Sequence, residues 1–359
     1  MQTIIVGAGK VGFNMAQMLS SEDHDVILIE QDAERQKTVD DMLDVQVIHG
    51  SGSSISILER AGIRNTDMFL AVTQYDELNM IACMLAKQYG VKTTVARVRN
   101  TEYLEIKNLN QQMGIDLIIN PERVTAEEIA RTVKYPHALH VDYYAEGKVQ
   151  VIGLALQEDS PLLGRKLRDL DTYAPYNIVS IMRGGKLIIP DGDHSFQAGD
   201  HINVMAKSAD MRDVERILGI SRRKVENVII LGGGRTGYYL AKILEEYRPA
   251  LNIKIIERDL KRARDISERL NTTLVIHGDG SDYELLESEN VKTSDLFVAV
   301  TNDDKINLLS ALIARRLGVQ KTIAQVKRSD IMPLVEQIGI DMVLSPRVLT
   351  AGAILKYIR

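Results

Sequence analysis

The chain has 359 residues, 45% hydrophobic and 26% charged, with a formal net charge of −5 and a pI near 5.9. That is room for two or three domains, and the acidic balance without a basic stripe argues against a nucleic-acid binder. No apolar run approaches the roughly 20 residues that span a bilayer, the first residues read as a strand and not as a signal peptide, and a single cysteine, Cys83, leaves no intrachain disulfide and fits a reducing compartment.

Residues 1–30 pack a strand, a glycine turn, a helix and a second strand into one stretch. Residues 3–6 are an apolar, β-branched run. GAGKVG at 7–12 follows at once and matches G-x-G-x-x-G, and 13–19 then carry apolar residues at helical spacing. Gly7 suits the tight turn, Gly9 the approach of a pyrophosphate, and Gly12 the packing of helix on strand. Ala8, Lys10 and Val11 complete the loop, whose free N–H groups open a helix and favour an anion. Glu30 ends the second strand, 18 residues after Gly12, where an acid reaches ribose hydroxyls.

Strands and helices go on alternating. A helix is expected over 35–43, a strand over 45–49, a short helix over 55–61 and a strand over 68–72 ending at Thr73. A long helix over 78–89 closes at Gly90, and Cys83 lies in its apolar pattern as a buried structural thiol. A strand over 94–98, a helix over 102–110, a strand over 117–119 and a helix over 122–134 complete the series. Such alternation means βαβ units and a parallel sheet, with ligands beyond the carboxyl ends of the strands.

The pattern then changes. Short alternating strands at 140–145, 149–156, 178–183, 186–189 and 201–206, separated by glycine turns, predict a small α+β module with an antiparallel sheet at 137–219. Helices are expected at 162–170 and 209–218, and a charged linker at 221–225.

After the linker the first pattern returns, displaced by 225 to 228 residues. GAGKVG becomes GGGRTG at 232–237, Glu30 becomes Glu257, and HGSGSS at 49–54 becomes HGDGSD at 277–282. DMFLAVTQYDELNM at 67–80 returns at 295–308, TTVARV at 93–98 returns as KTIAQV, and GIDLIINPERVTAEEIA at 114–130 returns as GIDMVLSPRVLTAGAIL at 339–355. The chain holds two copies of one nucleotide-binding fold. The expected fold class is therefore α/β, two Rossmann-like doubly wound domains at 1–134 and 226–359 with the small lobe at 137–219 between them. A second lobe would be expected after 359.

Matched positions are the candidates for ligand contact. They include Gly232, Gly233, Gly234, Arg235, Thr236 and Gly237 in the second turn, and Glu257 with Arg258 beside it. A carboxylate at Glu30 and Glu257 favours NAD(H) or an adenine nucleotide over NADP. Gly50 with Ser51, and Gly278 with Asp279, stand where an adenosine end would lie. Thr73 with Gln74, and Thr301 with Asn302, follow the fourth strand, where the hydroxyl either caps the next helix or touches the ligand. Lys10 and Arg235 either reach a terminal phosphate or face water. Arg97, with Val98 after it, is a possible phosphate contact, while Gln325 lacks the charge. His49 and His277 have no second ligand at metal spacing and read as structural.

These features together resemble the TrkA family, the cytosolic regulatory subunits of Trk-type potassium uptake systems built from RCK (also called KTN) domains. The residues that carry the resemblance are GAGKVG with Glu30, AVTQYDELNM at 71–80, ARV at 96–98, LIIPDGDHSFQAGD at 187–200, and GGGRTG with Glu257, HGDGSD and AVTNDDKIN. The resemblance implies binding of NAD(H) and ATP or ADP, assembly into a dimer or tetramer ring, and docking on a membrane-embedded potassium transporter from the cytoplasmic side. The family pattern commonly has an acid at Ser51. The alternative is an NAD-dependent oxidoreductase, which needs an acid or base near the nicotinamide. His137, His140, His194 and His201 of the lobe sit in no recognisable catalytic setting.

Overall fold

A computed structural model describes residues 1–145, 147–170, 175–219, 224–328 and 338–358. They form two compact units, one of 1–127 with 227–359 and one of 128–226. Among the described residues no helix is long and apolar enough to cross a membrane.

The first copy contains strands β1 (Gln2–Val6), β2 (Asp25–Glu30), β3 (Gln46–His49), β4 (Met68–Ala71), β5 (Thr93–Arg97) and β6 (Leu117–Ile119). Its helices are α1 (Lys10–Ser21), α2 (Ala33–Met42), α3 (Ile55–Arg60), α4 (Asp76–Gln88), α5 (Thr101–Glu105), α6 (Leu109–Met113) and α7 (Pro121–Lys134). The six strands are parallel in the order β3-β2-β1-β4-β5-β6. The order reverses between β1 and β4, which places a crevice beyond the carboxyl ends of those two strands. One helix expected over 102–110 is instead two, because Asn108 takes a left-handed φ of 59° and interrupts it.

The lobe holds β7 (Ala138–Tyr144), β8 (Val149–Ala155), β9 (Tyr176–Arg183), β10 (Lys186–Ile188), β11 (His201–Lys207) and helix α8 (Met211–Ile217). Its sheet is antiparallel, in the order β10-β9-β11-β8-β7. The helix expected over 162–170 does not form. Gly164 adopts φ +75°, Leu163 and Lys166 make bridges to Phe196 and Ser195, and only the turn Leu167–Asp169 coils. Asp200, fully buried, accepts two bonds from the Arg183 guanidinium at 2.7 Å and one from the Gln197 N–H at 2.9 Å. The PDGDHSFQAGD stretch is thus built around the buried Asp200 carboxylate, whose bonds to Arg183 and Gln197 hold a turn. The expected linker at 221–225 lies mostly outside the described residues.

The second copy repeats the first, with β12 (Asn227–Leu231), β13 (Asn252–Glu257), β14 (Leu274–His277), β15 (Leu296–Ala299), β16 (Lys321–Gln325) and β17 (Met342–Leu344) in the order β14-β13-β12-β15-β16-β17. Its helices are α9 (Arg235–Tyr247), α10 (Leu260–Arg269), α11 (Tyr283–Ser288), α12 (Asp304–Leu317) and α13 (Pro346–Ile358). The central strands of both sheets are buried on both faces, which explains their unbroken apolar runs.

The two copies share a core. Ala351, Ile354 and Leu355 of α13 enter the cluster that holds Met15, Ala16 and Leu19 of α1. Each fully buried aliphatic side chain contributes about 1.5–3 kcal/mol of transfer free energy, so this contact fixes how one glycine turn faces the other.

A candidate nucleotide cleft shared by two copies

Both glycine turns show the same backbone logic. Gly7 and Gly232 adopt φ of +100° and +102°, which L side chains avoid. A Cβ on Gly12 or Gly237 would lie 1.9 or 2.0 Å from the carbonyl oxygen of Gly7 or Gly232, so only glycine lets helix approach strand here. Around Gly9 and Gly234 there is open space, and neither offers a side-chain cap to α1 or α9. The first N–H groups of both helices are left for an anion.

The acids at the ends of β2 and β13 are engaged with backbone. Glu30 accepts from the N–H groups of Ala8 (2.5 Å), Gln31 (2.8 Å) and Asp32 (3.0 Å). Glu257 accepts from Gly233 (2.7 Å) and Asp259 (2.8 Å). Each carboxylate therefore braces its own glycine turn and retains lone pairs for a ribose hydroxyl. The bonds also occupy the Ala8 and Gly233 N–H groups. His49 and His277 donate from Nε2 to the carbonyls of Gln31 (2.9 Å) and Arg258 (3.1 Å), which fits the structural reading of both rings. Among the described residues no cluster of His, Cys, Asp or Glu has metal-binding geometry.

The VT-x-x-D-x-x-N stretch is a clamp. Asn79, fully buried, accepts from the Thr73 N–H (2.9 Å) and hydroxyl (2.7 Å) and donates to the carbonyls of Thr73 (3.1 Å) and Arg97 (2.8 Å). Asn307 makes the same four bonds, at 2.7–3.1 Å, with Thr301 and Gln325. Asp76 accepts from the N–H groups of Arg99 and Asn100, and Asp304 from that of Lys327. The clamp ties the ends of β4 and β5, and of β15 and β16, into the rim of one cleft.

That cleft encloses about 1590 Å³ and is lined by both copies. Most sequence-expected residues reach it, including Gly7, Gly9, Lys10, Glu30, Thr73, Gln74 and Arg97, with Gly232, Gly234, Arg235, Thr236, Glu257, Arg258, Asp279, Thr301, Asn302 and Gln325. Ala8, Val11, Gly50 and Gly278 also line it. Gly12, Gly233 and Gly237 lie behind the wall, and the Ser51 hydroxyl turns to Ser53 at 3.0 Å. The Asp279 carboxylate bonds the Ser281 N–H (2.9 Å) and hydroxyl (2.7 Å), and these bonds hold it below the usual carboxylate range. Val98 is a correction. It is fully buried in the core with its N–H on the Ile119 carbonyl at 3.0 Å, and it does not face the cleft.

Sequence reasoning missed Arg99, Glu122, Lys327 and Arg347, which line the cleft. Arg99 donates from Nε to Glu122 at 2.7 Å, and its other nitrogen bonds the same oxygen. Lys327 bonds the Asn302 carbonyl. Arg97 donates to the Thr73 carbonyl at 2.8 Å and leaves its buried Nε–H without a partner. The fields cross between copies. Arg347 of the second copy, then partial burial, then Lys327 push the Lys10 ammonium below its usual range. Arg97 is lowered by burial first and then by Arg99, with a smaller contribution from Arg235 of the other copy.

A doubled Rossmann-type sheet with a small antiparallel lobe and a charged cleft lined by two glycine turns defines a class of nucleotide-binding proteins. The TrkA-N domain matches residues 3–121 and again 228–346, and the TrkA-C domain matches 151–219. The chain belongs to the TrkA family of Trk system potassium uptake proteins. It is 39% identical to Trk system potassium uptake protein trkA homolog 1 of Methanosarcina mazei, over 99% of this chain and 89% of that one. It is 36% identical to Trk system potassium uptake protein TrkA of Halomonas elongata, over 100% of this chain and 79% of that one. The fold is that of the GsuK channel, with a TM-score of 0.76 at 17% identity, covering 98% of this chain and 62% of that one. A GsuK channel bound to NAD matches with a TM-score of 0.73 at 16% identity, over 98% of this chain and 62% of that one.

Proposed function

We propose that this chain is a nucleotide-sensing regulatory subunit. It binds NAD(H) and ATP or ADP in the shared cleft and transmits the resulting change of shape to a membrane-embedded Trk-type potassium transporter. It works at the cytoplasmic face of the membrane as a homo-oligomer. The observation that carries this reading is the single cleft lined by both glycine turns: a ligand there touches both copies and biases how they face each other. The family membership supports a potassium-uptake setting, and GsuK structures bound to NAD and to ADP contain the same fold.

The cleft is poorly furnished for catalysis. Its two matched acids are bonded to backbone N–H groups, and the histidines beside it are bonded to backbone carbonyls. Hydride transfer to or from a carbonyl or alcohol is ordinarily assisted by a positioned general acid or base. A ligand shifts a conformational equilibrium only by its difference in affinity for the two states, and a tenfold difference is worth about 1.4 kcal/mol. Potassium flux through the co-reconstituted transporter, recorded while ATP, ADP, NAD+ and NADH are titrated, tests the proposal. Different plateaus for at least two nucleotides are expected, and identical flux with all four overturns it.

A further inference from the structure

The two copies carry different side chains at one point on the rim of the cleft, and the difference deprives the first copy of a helix cap. We propose that Tyr75 stacks on the distal ring of a dinucleotide, the nicotinamide end of NAD(H), and is the residue by which the first half of the cleft reads that ring. The inference rests on the nucleotide reading above and adds what recognises the part of the ligand beyond the pyrophosphate.

Strand order lays out the path of such a ligand. In the first copy the order β2-β1-β4-β5 runs from Glu30, past the glycine turn after β1, to the ends of β4 and β5. With an adenosine ribose at Glu30 and a pyrophosphate on the turn, the remainder of a dinucleotide extends to the β4–β5 side of the switch point. There the cleft is lined by Thr73, Gln74, Tyr75 and Leu78.

Tyr75 matches Asp303 of the second copy. The backbone is the same at both. Tyr75 has φ −106° and ψ 110°, Asp303 has φ −115° and ψ 114°, and each donates its N–H to the hydroxyl of Thr73 or Thr301 at 3.2 Å. Only the side chains differ. The Asp303 carboxylate caps α12, accepting from the N–H groups of Lys305 (2.8 Å) and Ile306 (3.3 Å). A phenol ring cannot reach back in this way, and α4 begins with no side-chain cap. Packing does not compensate, because Tyr75 is 56% exposed. A side chain that forgoes a cap and leaves its ring in water, on the rim of a ligand cleft, is explained by a partner that comes from outside the chain. Leu78, one turn further along α4, adds an aliphatic surface to the same wall. A planar ring arriving there finds a π face and an apolar floor. At the matched place the second half offers Asp303 and Ile306, and its carboxylate is already committed to the helix.

The test is calorimetric titration of the full chain with NADH and with ADP-ribose, which keeps the adenosine, the pyrophosphate and the second ribose and lacks the nicotinamide. The unmodified chain should bind NADH more tightly than ADP-ribose. Tyr75→Asp, which copies the cap of the second copy, should weaken NADH roughly five- to a hundred-fold, the scale of one lost ring stack, and leave ADP-ribose within about threefold. Its urea midpoint should be no lower than that of the parent, since the variant gains a cap. Tyr75→Ala removes the ring without adding a charge and serves if the aspartate variant does not fold. Tyr75→Phe keeps the ring and should bind both ligands within about threefold of the parent. An NADH-to-ADP-ribose ratio unchanged by either ring deletion, an equal loss for both ligands, or a loss in Tyr75→Phe as large as in Tyr75→Ala overturns the assignment and leaves the nucleotide reading standing. An unmodified chain that takes up neither ligand overturns both.

Discussion

The two copies agree where the fold needs them to and differ where a ligand would be read. Asn79 and Asn307 make the same four bonds, and the anchors behind the sheets are also paired. Asp116 bonds Lys87, the Thr94 N–H and the Thr94 hydroxyl, while Asp341 bonds Arg315 and the same two groups of Thr322. In contrast, Glu122 faces the cleft where Arg347 stands in the second copy, and Arg97 stands where Gln325 does. The lesson is that duplication kept the scaffold and freed the rim. Side chains that satisfy buried backbone cannot drift without leaving an orphaned group. Side chains in the cleft answer to a ligand instead.

The sharpest way to break the comparison is to remove the clamp from each copy in turn. Asn79→Ala strands the Thr73 N–H and removes one partner each from the Thr73 hydroxyl and the carbonyls of Thr73 and Arg97, and Asn307→Ala does the corresponding damage around Thr301 and Gln325. Each should cost about 3 kcal/mol, one orphaned N–H together with several weakened bonds. Urea unfolding followed by hydrogen exchange in each copy reads the loss. A loss in one copy twice that in the other would mean the scaffolds are not equivalent.

Much of this scaffold was legible in the sequence because the repeat carries its own control: two stretches with the same spacing exclude chance glycine turns. The paired sheets and the antiparallel lobe followed from strand-and-helix alternation and its interruption. The site was legible only within each copy. Val98 was misplaced because successive residues of a strand point to opposite faces, so Arg97 enters the cleft and its neighbour enters the core. The helix expected over 162–170 failed because its backbone pairs with the 194–196 segment, a tertiary preference that no local pattern reveals. The opposition of Lys10 to Arg347 depends on how α13 packs on α1, and nothing in linear spacing announces that contact. The one available signal was the reversed sign at Glu122 and Arg347, inside a segment already recognised as repeated.

A smaller effect sharpens the comparison through acid. Burial alone would raise the Asp116 carboxyl, but Lys87 and the two Thr94 donors outweigh it and hold the group below the usual range. A carboxylate with a depressed folded pKa stabilises fully above its unfolded value, about 3.9, and the contribution is lost as pH falls through the folded value. Asp116→Ala should therefore destabilise the first copy by about 2 kcal/mol at pH 7, the scale of a few lost charge-assisted bonds. The gap between variant and parent should begin to narrow below about pH 4 and close only as pH falls through the depressed folded value, where the parent's carboxylate protonates. Denaturation midpoints across pH 3–7 check this, and a gap that stays constant into acid would remove the Asp116 network from the account.

The smallest expected effect concerns a position where the copies differ without consequence for the cleft. Cys83 on α4 matches Ala311 on α12, and both are fully buried. Burial pushes the Cys83 thiol well above its ordinary range, so the nucleophilic thiolate is scarce and sheltered. Cys83→Ala deletes one small buried group and should cost about 1 kcal/mol, at the low end for core truncation. Nucleotide affinities should be unchanged. Because Cys83 is the single thiol of the chain, alkylation of the native protein should proceed only through opening of the first copy. It should slow when a nucleotide that binds this copy saturates it, since a ligand bound only to the closed form suppresses opening in proportion to its excess over Kd. Alkylation that ignores every nucleotide while calorimetry shows binding would mean the ligand sits wholly in the second copy, and the cleft would then not be read from both sides.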